Sequence, residues 1–139
     1  MNQPLHFDTR AIHEGIKAHD WEGSTLPPIF QTAAHFHHTA AQLGQTFAGE
    51  RPDHIYMRLT NPTNRFLEER LASLESGAAA VVTASGMAAI SNACMTLLRA
   101  GDEFVASSSL FMSTYALFTN IFKKYGITVR LADPLNRED

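Results

Sequence analysis

Cysteine is almost missing from this chain, and Cys94 alone allows no internal disulfide. Its place in an apolar helical stretch points to a packed, inert thiol rather than a nucleophile. No lysine- or arginine-rich run occurs and the formal charge is -3, which argues against nucleic acid or an anionic membrane as partner. No apolar run is long enough to span a bilayer, and the start, MNQPLHFDTRAIHEG, has neither the basic opening nor the apolar centre of a signal peptide. A cytoplasmic protein is therefore expected. Neither G-x-G-x-x-G nor G-x-x-x-x-G-K-[ST] is present, which weighs against a dinucleotide site or a P-loop. What remains, 139 residues that are 45% hydrophobic and 18% charged, suits one soluble globular domain or part of a larger one.

The stretch from Ala78 to Leu98 organises the rest. Ala78 to Ala84 reads as a buried strand, Met87 to Leu98 as a helix rich in Ala, Leu and Met, and Ser85-Gly86 as the turn between them. A tight strand-to-helix turn points the first free N–H groups of the helix outward, and the positive end of the helix dipole makes them a seat for a phosphate dianion. Gly86 would let such a ligand approach the backbone closely. The same residues also suit a plain αβ connection with Ser85 as N-cap.

Before this stretch, residues 1–53 carry little regular pattern and read as an extended arm lying across a neighbouring surface. His35, His37 and His38 within it lack a cysteine or carboxylate to complete a metal set, so solvated or hydrogen-bonded histidines are expected. Thr39 to Phe47 suggests a short helix with Ala40, Leu43 and Phe47 on one side. His54 to Thr60 alternates, so that Tyr56 and Arg58 would project side by side from an extended strand. A phenol and a guanidinium so placed can share one phosphate; an edge strand with Arg58 meeting a surface acid is the other reading.

Asn61-Pro62-Thr63-Asn64 then starts a helix, with Asn61 or Thr63 as N-cap, an inward stripe of Leu67, Leu71 and Leu74, and Gly77 as its left-handed stop. Beyond Gly101, Glu103 to Ser107 reads as a strand, Ser113 to Tyr125 as a helix closed by Gly126, and Ile127 to Ala132 as a third strand. Strand, helix, strand, helix, strand at this spacing predicts an α/β fold, a parallel sheet covered on both faces with ligands at the carboxyl ends of its strands. Phe111, after the second strand, is placed either to stack on a flat heterocycle or to pack in the core.

Tyr56-Met57-Arg58 with Asn61-Pro62-Thr63, then Ala84 to Ala89, then Leu110 to Tyr115, together resemble the pyridoxal-phosphate (PLP) enzymes of cysteine and methionine metabolism. That trans-sulfuration group includes homoserine-ester sulfhydrylases, cystathionine synthases and lyases, and methionine γ-lyase. The resemblance runs from about Phe7 to Pro134. It implies an aspartate-aminotransferase-like large domain begun at residue 54 and incomplete at 139, and an arm over 1–53 contacting a neighbouring subunit of a homotetramer built as a dimer of dimers. It implies that the Gly86 and Met87 amides bind the phosphate of pyridoxal 5'-phosphate, that Tyr56 and Arg58 reach the phosphate of an adjoining subunit, and that Phe111 stacks on the pyridine ring.

Two departures matter. Cystathionine-type members and γ-lyases mostly carry a tyrosine where this chain has Phe111, so the resemblance leans toward a sulfhydrylase. Such an enzyme replaces the acyl group of an O-acyl homoserine by sulfide or a thiol, giving homocysteine or methionine. The Schiff-base lysine is also missing, because Lys17, Lys123 and Lys124 do not match its position. The chain is expected to be inactive alone and to need the remainder of the enzyme, which would hold that lysine. The rival of another class is a non-catalytic phosphate-binding α/β module.

Overall fold

The computed structural model describes residues 5–14 and 22–136. Lys17, in the expected arm, lies outside them. The chain divides between Val82 and Thr83 into two compact units, each described by itself.

In the first unit, α1 (Phe7–His13) is one that the sequence pattern did not announce. It docks on the later helix α3: Arg10 Nε donates to Ser73 Oγ at 3.2 Å, and Arg70 donates to the carbonyls of Ile12 and Glu14 at the end of α1. A guanidinium there satisfies orphan carbonyls and meets the negative end of the helix dipole. Helix α2 (Ala40–Phe47) starts where expected, with Thr39 Oγ1 accepting from the Gln42 amide. Its buried residue is Thr46, whereas Phe47 is exposed.

Helix α3 (Pro62–Leu74) is capped by Asn61, whose Oδ1 accepts from the Thr63 amide at 2.8 Å, with Pro62 at the first position. Its buried face centres on Phe66, over which the Arg70 guanidinium lies at 5.2 Å, while Leu67 and Leu71 are exposed. The expected leucine stripe is thus displaced by one position. The left-handed residue after α3 is Ser76 (φ 54), not Gly77.

Asn61 is itself buried and also donates to the Phe30 carbonyl, while Thr63 Oγ1 accepts from the Phe30 amide. The segment around Phe30 is therefore tied to its own chain. Asn61→Ala removes a cap and this tie together. It is expected to destabilise the first unit by about 1–2 kcal/mol in chemical denaturation, whereas Asn61→Asp, which keeps the cap alone, should recover part of that.

Two predicted strands do not form. Residues 78–84 form no strand among the described residues and bend at Ala78 and Ala84. Val82 gives its amide to Glu68 Oε1 at 2.9 Å, and Val81 is exposed. Alternation or apolarity makes a segment competent for a sheet, but a strand exists only when a neighbour offers its own N–H and C=O groups. Residues 54–60 pair only at one antiparallel bridge, Ala34 with Tyr56, after which the chain turns: the Tyr56 carbonyl accepts from the Leu59 and Thr60 amides.

The second unit begins with α4 (Gly86–Leu97), capped by Ser85 Oγ, which accepts from the Ala88 amide. Strand β1 (Glu103–Ser107) follows, then one continuous helical run: α5 (Met112–Ala116), a π-helical turn (Leu117–Ile121) and α6 (Phe122–Lys124). Gly101 and Gly126 take positive φ at the turns before each strand, and the Gly101 amide donates to the Gly126 carbonyl. Strand β2 (Thr128–Ala132) pairs with β1 in parallel, Phe104 opposite Val129 and Ala106 opposite Leu131.

Phe118, Phe122 and Ile127 form the core of this unit, with Ile90, Cys94 and Leu98 from the α4 region and Phe104 from β1 against them. Phe104 meets Phe118 edge-on at 5.0 Å, a favourable aromatic geometry. Burial raises the Cys94 thiol above its ordinary range, which agrees with an inert packed side chain. The fold is mixed α/β with a small parallel sheet of two strands, rather than the three expected. The β1 face bearing Val105, which is 69% exposed, is not covered within the unit.

Candidate phosphate site

In the second unit the candidate site is the first turn of α4. Ser85 serves it twice: its Oγ takes the Ala88 amide and its carbonyl takes the Ala89 amide. The Gly86 and Met87 amides, the first two of the helix, are left without a partner among the described residues. The Met87 side chain is turned away from that role, because its Sδ accepts from Thr114 Oγ1 at 3.6 Å. That contact sets the start of α4 against the first turn of α5.

Gly86 has ordinary helical backbone and not a positive φ, and a Cβ built on it would meet nothing within 4 Å. Neither conformation nor internal packing requires glycine here. The backbone at Gly86 is therefore open, beside two unpartnered amides, which fits a phosphate oxygen approaching it. Phe111, immediately before α5, is 76% exposed while Leu110 packs against the core, so its ring is available for stacking and core packing is not its role. Two amides, an open backbone and an exposed ring fit a phosphorylated aromatic cofactor.

In the first unit Tyr56 and Arg58 are brought together, though not by strand alternation. The turn after Tyr56 folds Arg58 back, and its guanidinium carbon lies 4.6 Å from the centre of the Tyr56 ring. Stacking of this kind orients the guanidinium while leaving its N–H fork unused. Arg58 is exposed and has no acidic partner among the described residues, in contrast to Arg51, bonded to Asp53 at 2.8 Å, and Arg65, bonded to Glu69 at 2.8 Å. The surface-acid alternative for Arg58 is therefore not what the structure has. The Arg51 bond holds the Asp53 carboxyl below its ordinary value. Arg58 lines a cleft of about 560 Å³ together with Met57, Asn64 and Glu68.

Two features here were invisible to sequence reasoning. The turn bearing Arg58 is bracketed by residues 33–35: the Met57 amide donates to the Ala33 carbonyl and the His35 amide to the Ile55 carbonyl. Thr114, which fixes Met87, also gave no pattern of its own. Both depend on contacts between residues twenty or more positions apart, which no local period encodes. Among the described residues no group of three His, Cys, Asp or Glu side chains is arranged to hold a metal.

A profile of the family described as Cys/Met metabolism PLP-dependent enzyme matches residues 8–139. The chain is 42% identical over 127 residues to an L-methionine gamma-lyase from Pseudomonas putida, covering 91% of this chain and 32% of that protein. It is 45% identical over 123 residues to an O-succinylhomoserine sulfhydrylase from Pseudomonas aeruginosa, covering 88% and 30%. A crystal structure from Campylobacter jejuni, assigned as an O-acetylhomoserine (thiol)-lyase and carrying N'-pyridoxyl-lysine-5'-monophosphate, matches with a TM-score of 0.88 and 33% identity over 94% of this chain and 32% of that one. The chain thus spans about a third of the length of these relatives.

Proposed function

The chain belongs to the Cys/Met metabolism PLP-dependent enzyme family, and from that premise we propose that it forms the cofactor-phosphate-binding part of an O-acylhomoserine sulfhydrylase. The enzyme would replace the acyl group of an O-acyl homoserine by sulfide or a thiol, giving homocysteine or methionine. Family membership disfavours a non-catalytic phosphate-binding module. The observation that carries the reading is the unpartnered Gly86–Met87 amide pair under open space, set against the helix that follows the exposed Phe111 ring.

Pyridoxal phosphate, when bound, supplies an electron sink for carbanions of an amino-acid substrate. The chain's own residues then have distinct tasks. Gly86 and Met87 hold the phosphate by backbone donors reinforced by the helix dipole. Tyr56 and Arg58, presented by an adjoining protomer of a homo-oligomer, give it a phenol hydrogen bond and a two-pronged charged one. Phe111 stacks on the ring and excludes water from that face, but it carries no proton to give or take. A phenol at the same place can do both, which is why Phe111 favours replacement chemistry over a lyase.

In this reading none of Lys17, Lys123 and Lys124 is the Schiff-base lysine, and the remainder of the enzyme, as further sequence or a companion polypeptide, is expected to provide it. The test is an assay of the assembled enzyme with sulfide and each homoserine ester, against methionine and cystathionine. Replacement activity at least about tenfold above γ-lyase activity is expected, and Phe111→Tyr should narrow that ratio. Turnover of methionine exceeding turnover of every homoserine ester would overturn the sulfhydrylase assignment.

A further inference from the structure

We infer that His54, with the His35 ring packed against it, positions Tyr56 and Arg58, keeping the bridge between residues 33–35 and the Tyr56 turn closed only while the His54 ring is neutral. The consequence for cofactor binding rests on the phosphate role proposed above; the coupling between the rings and the turn does not.

The Tyr56 turn is held by the arm at two levels. Ala33 and His35 bond to Met57 and Ile55 on either side of Tyr56, and Phe30 is tied to Asn61 and Thr63 just beyond the turn. At the first level sits a pair of rings with centres 5.3 Å apart, His35 beside the bridge on the arm and His54 on the opposing segment. Nε2 of His35 and Nδ1 of His54 are shut off from solvent and have no hydrogen-bond partner. A neutral imidazole tolerates this by carrying its proton on the other nitrogen, which leaves a bare acceptor inside. A charged imidazole cannot, because both nitrogens are then donors and the inner one has nothing to donate to.

The surrounding groups act in the same direction. Arg65 from α3 and the facing His35 ring oppose a charge on His54, while Asp53 favours it but is already bonded to Arg51. His37 adds a ring nitrogen 3.0 Å from the His54 carbonyl, and His38 lines the same cleft. Burial is the largest cause holding His54 below its ordinary value of 6.5.

The sign follows from linkage. With the bridge closed His54 binds a proton poorly, and with the bridge open its ring meets water and binds one normally. The closed form is therefore fully favoured above the ordinary histidine value and loses ground as pH falls below about 6.5, until the closed-state His54 ring itself titrates. Opening frees Tyr56 from Ala34 and leaves the turn that carries Arg58 held by its own Tyr56 carbonyl bonds alone, so the Arg58 stack loosens.

The experiment is an NMR pH titration of the 139-residue chain with labelled imidazoles, reading Arg58 δ-CH₂ shifts and amide exchange. The Tyr56 ring current should displace the Arg58 δ protons at pH 7. Between pH 7 and 5 that displacement should collapse, and exchange at Met57, corrected for the intrinsic rate, should rise about tenfold while Ala88 in α4 stays constant. His54→Gln should flatten the pH dependence, whatever it does to the stability of the closed form. A His54 ring that titrates near 6.5 with Arg58 and Met57 unmoved would overturn the inference, as would a His54→Gln variant keeping the full pH dependence. No cofactor enters this measurement. Its failure leaves the phosphate assignment intact, and failure of the phosphate assignment in cofactor titrations leaves the coupling intact.

Discussion

Arg58→Ala is expected to weaken cofactor binding by the assembled enzyme about a hundredfold while leaving the fold of this chain in place. The guanidinium is exposed, has no acidic partner among the described residues, and rests on the Tyr56 ring at 4.6 Å. Losing that stacking costs the chain at most about 1 kcal/mol. Toward a phosphate dianion it offers two charge-assisted hydrogen bonds, each worth roughly 1.5–3 kcal/mol, and a net loss of about 3 kcal/mol corresponds to two decades of affinity. Arg58→Lys keeps the charge without the planar fork and should fall between the two. Titration of pyridoxal phosphate followed by absorbance, beside a thermal melt, separates the effects. Unchanged cofactor affinity in Arg58→Ala would remove this side chain from the phosphate site.

Gly86→Val addresses the amide pair of the second unit. The Cβ position of Gly86 faces open space and the backbone is ordinary helix, so valine fits the chain without strain. Glycine is a poorer helix former than valine, and the stability change should stay within about 0.5 kcal/mol. The added methyl groups would stand over the Gly86 and Met87 amides and hold a phosphate oxygen beyond hydrogen-bonding range. Both backbone contacts and the helix-dipole term are then lost, and cofactor affinity should fall by at least about a hundredfold. Gly86→Ala should show a smaller loss. Few single changes separate folding from binding so cleanly, because most sites need their residues for both. A valine variant that takes up cofactor normally would show that the phosphate sits elsewhere.

How far the two candidate features could be read in advance differed. The Ser85-Gly86-Met87 turn was legible because N-caps and first-turn amides follow from local sequence, and Ser85 caps α4 as expected. Pro62 and Asn61 announced the start of α3 for the same reason. The Tyr56–Arg58 pair was identified with the wrong geometry: alternation suggested one face of a strand, whereas the Tyr56 carbonyl gathers the Leu59 and Thr60 amides and folds Arg58 back onto the ring. Local alternation states which side chains would share a face if a partner strand were present, and the partner here ends at Ala34.

The sequence by itself determined the family, the α/β class, the helix that offers two free amides, and the parallel pairing of Glu103–Ser107 with Thr128–Ala132. Each of these follows from short-range rules of capping, turn chemistry and apolar period, or from motifs in order along the chain. Tertiary structure alone decided that residues 78–84 find no strand partner among the described residues, that Phe66 rather than Leu67 or Leu71 faces inward, and that Phe30 and His35 tie the earlier chain to Asn61 and Ile55 on either side of the Tyr56 turn. The reason is that backbone groups and buried rings are satisfied by whatever neighbour the folded chain brings to them, and that neighbour is tens of residues away.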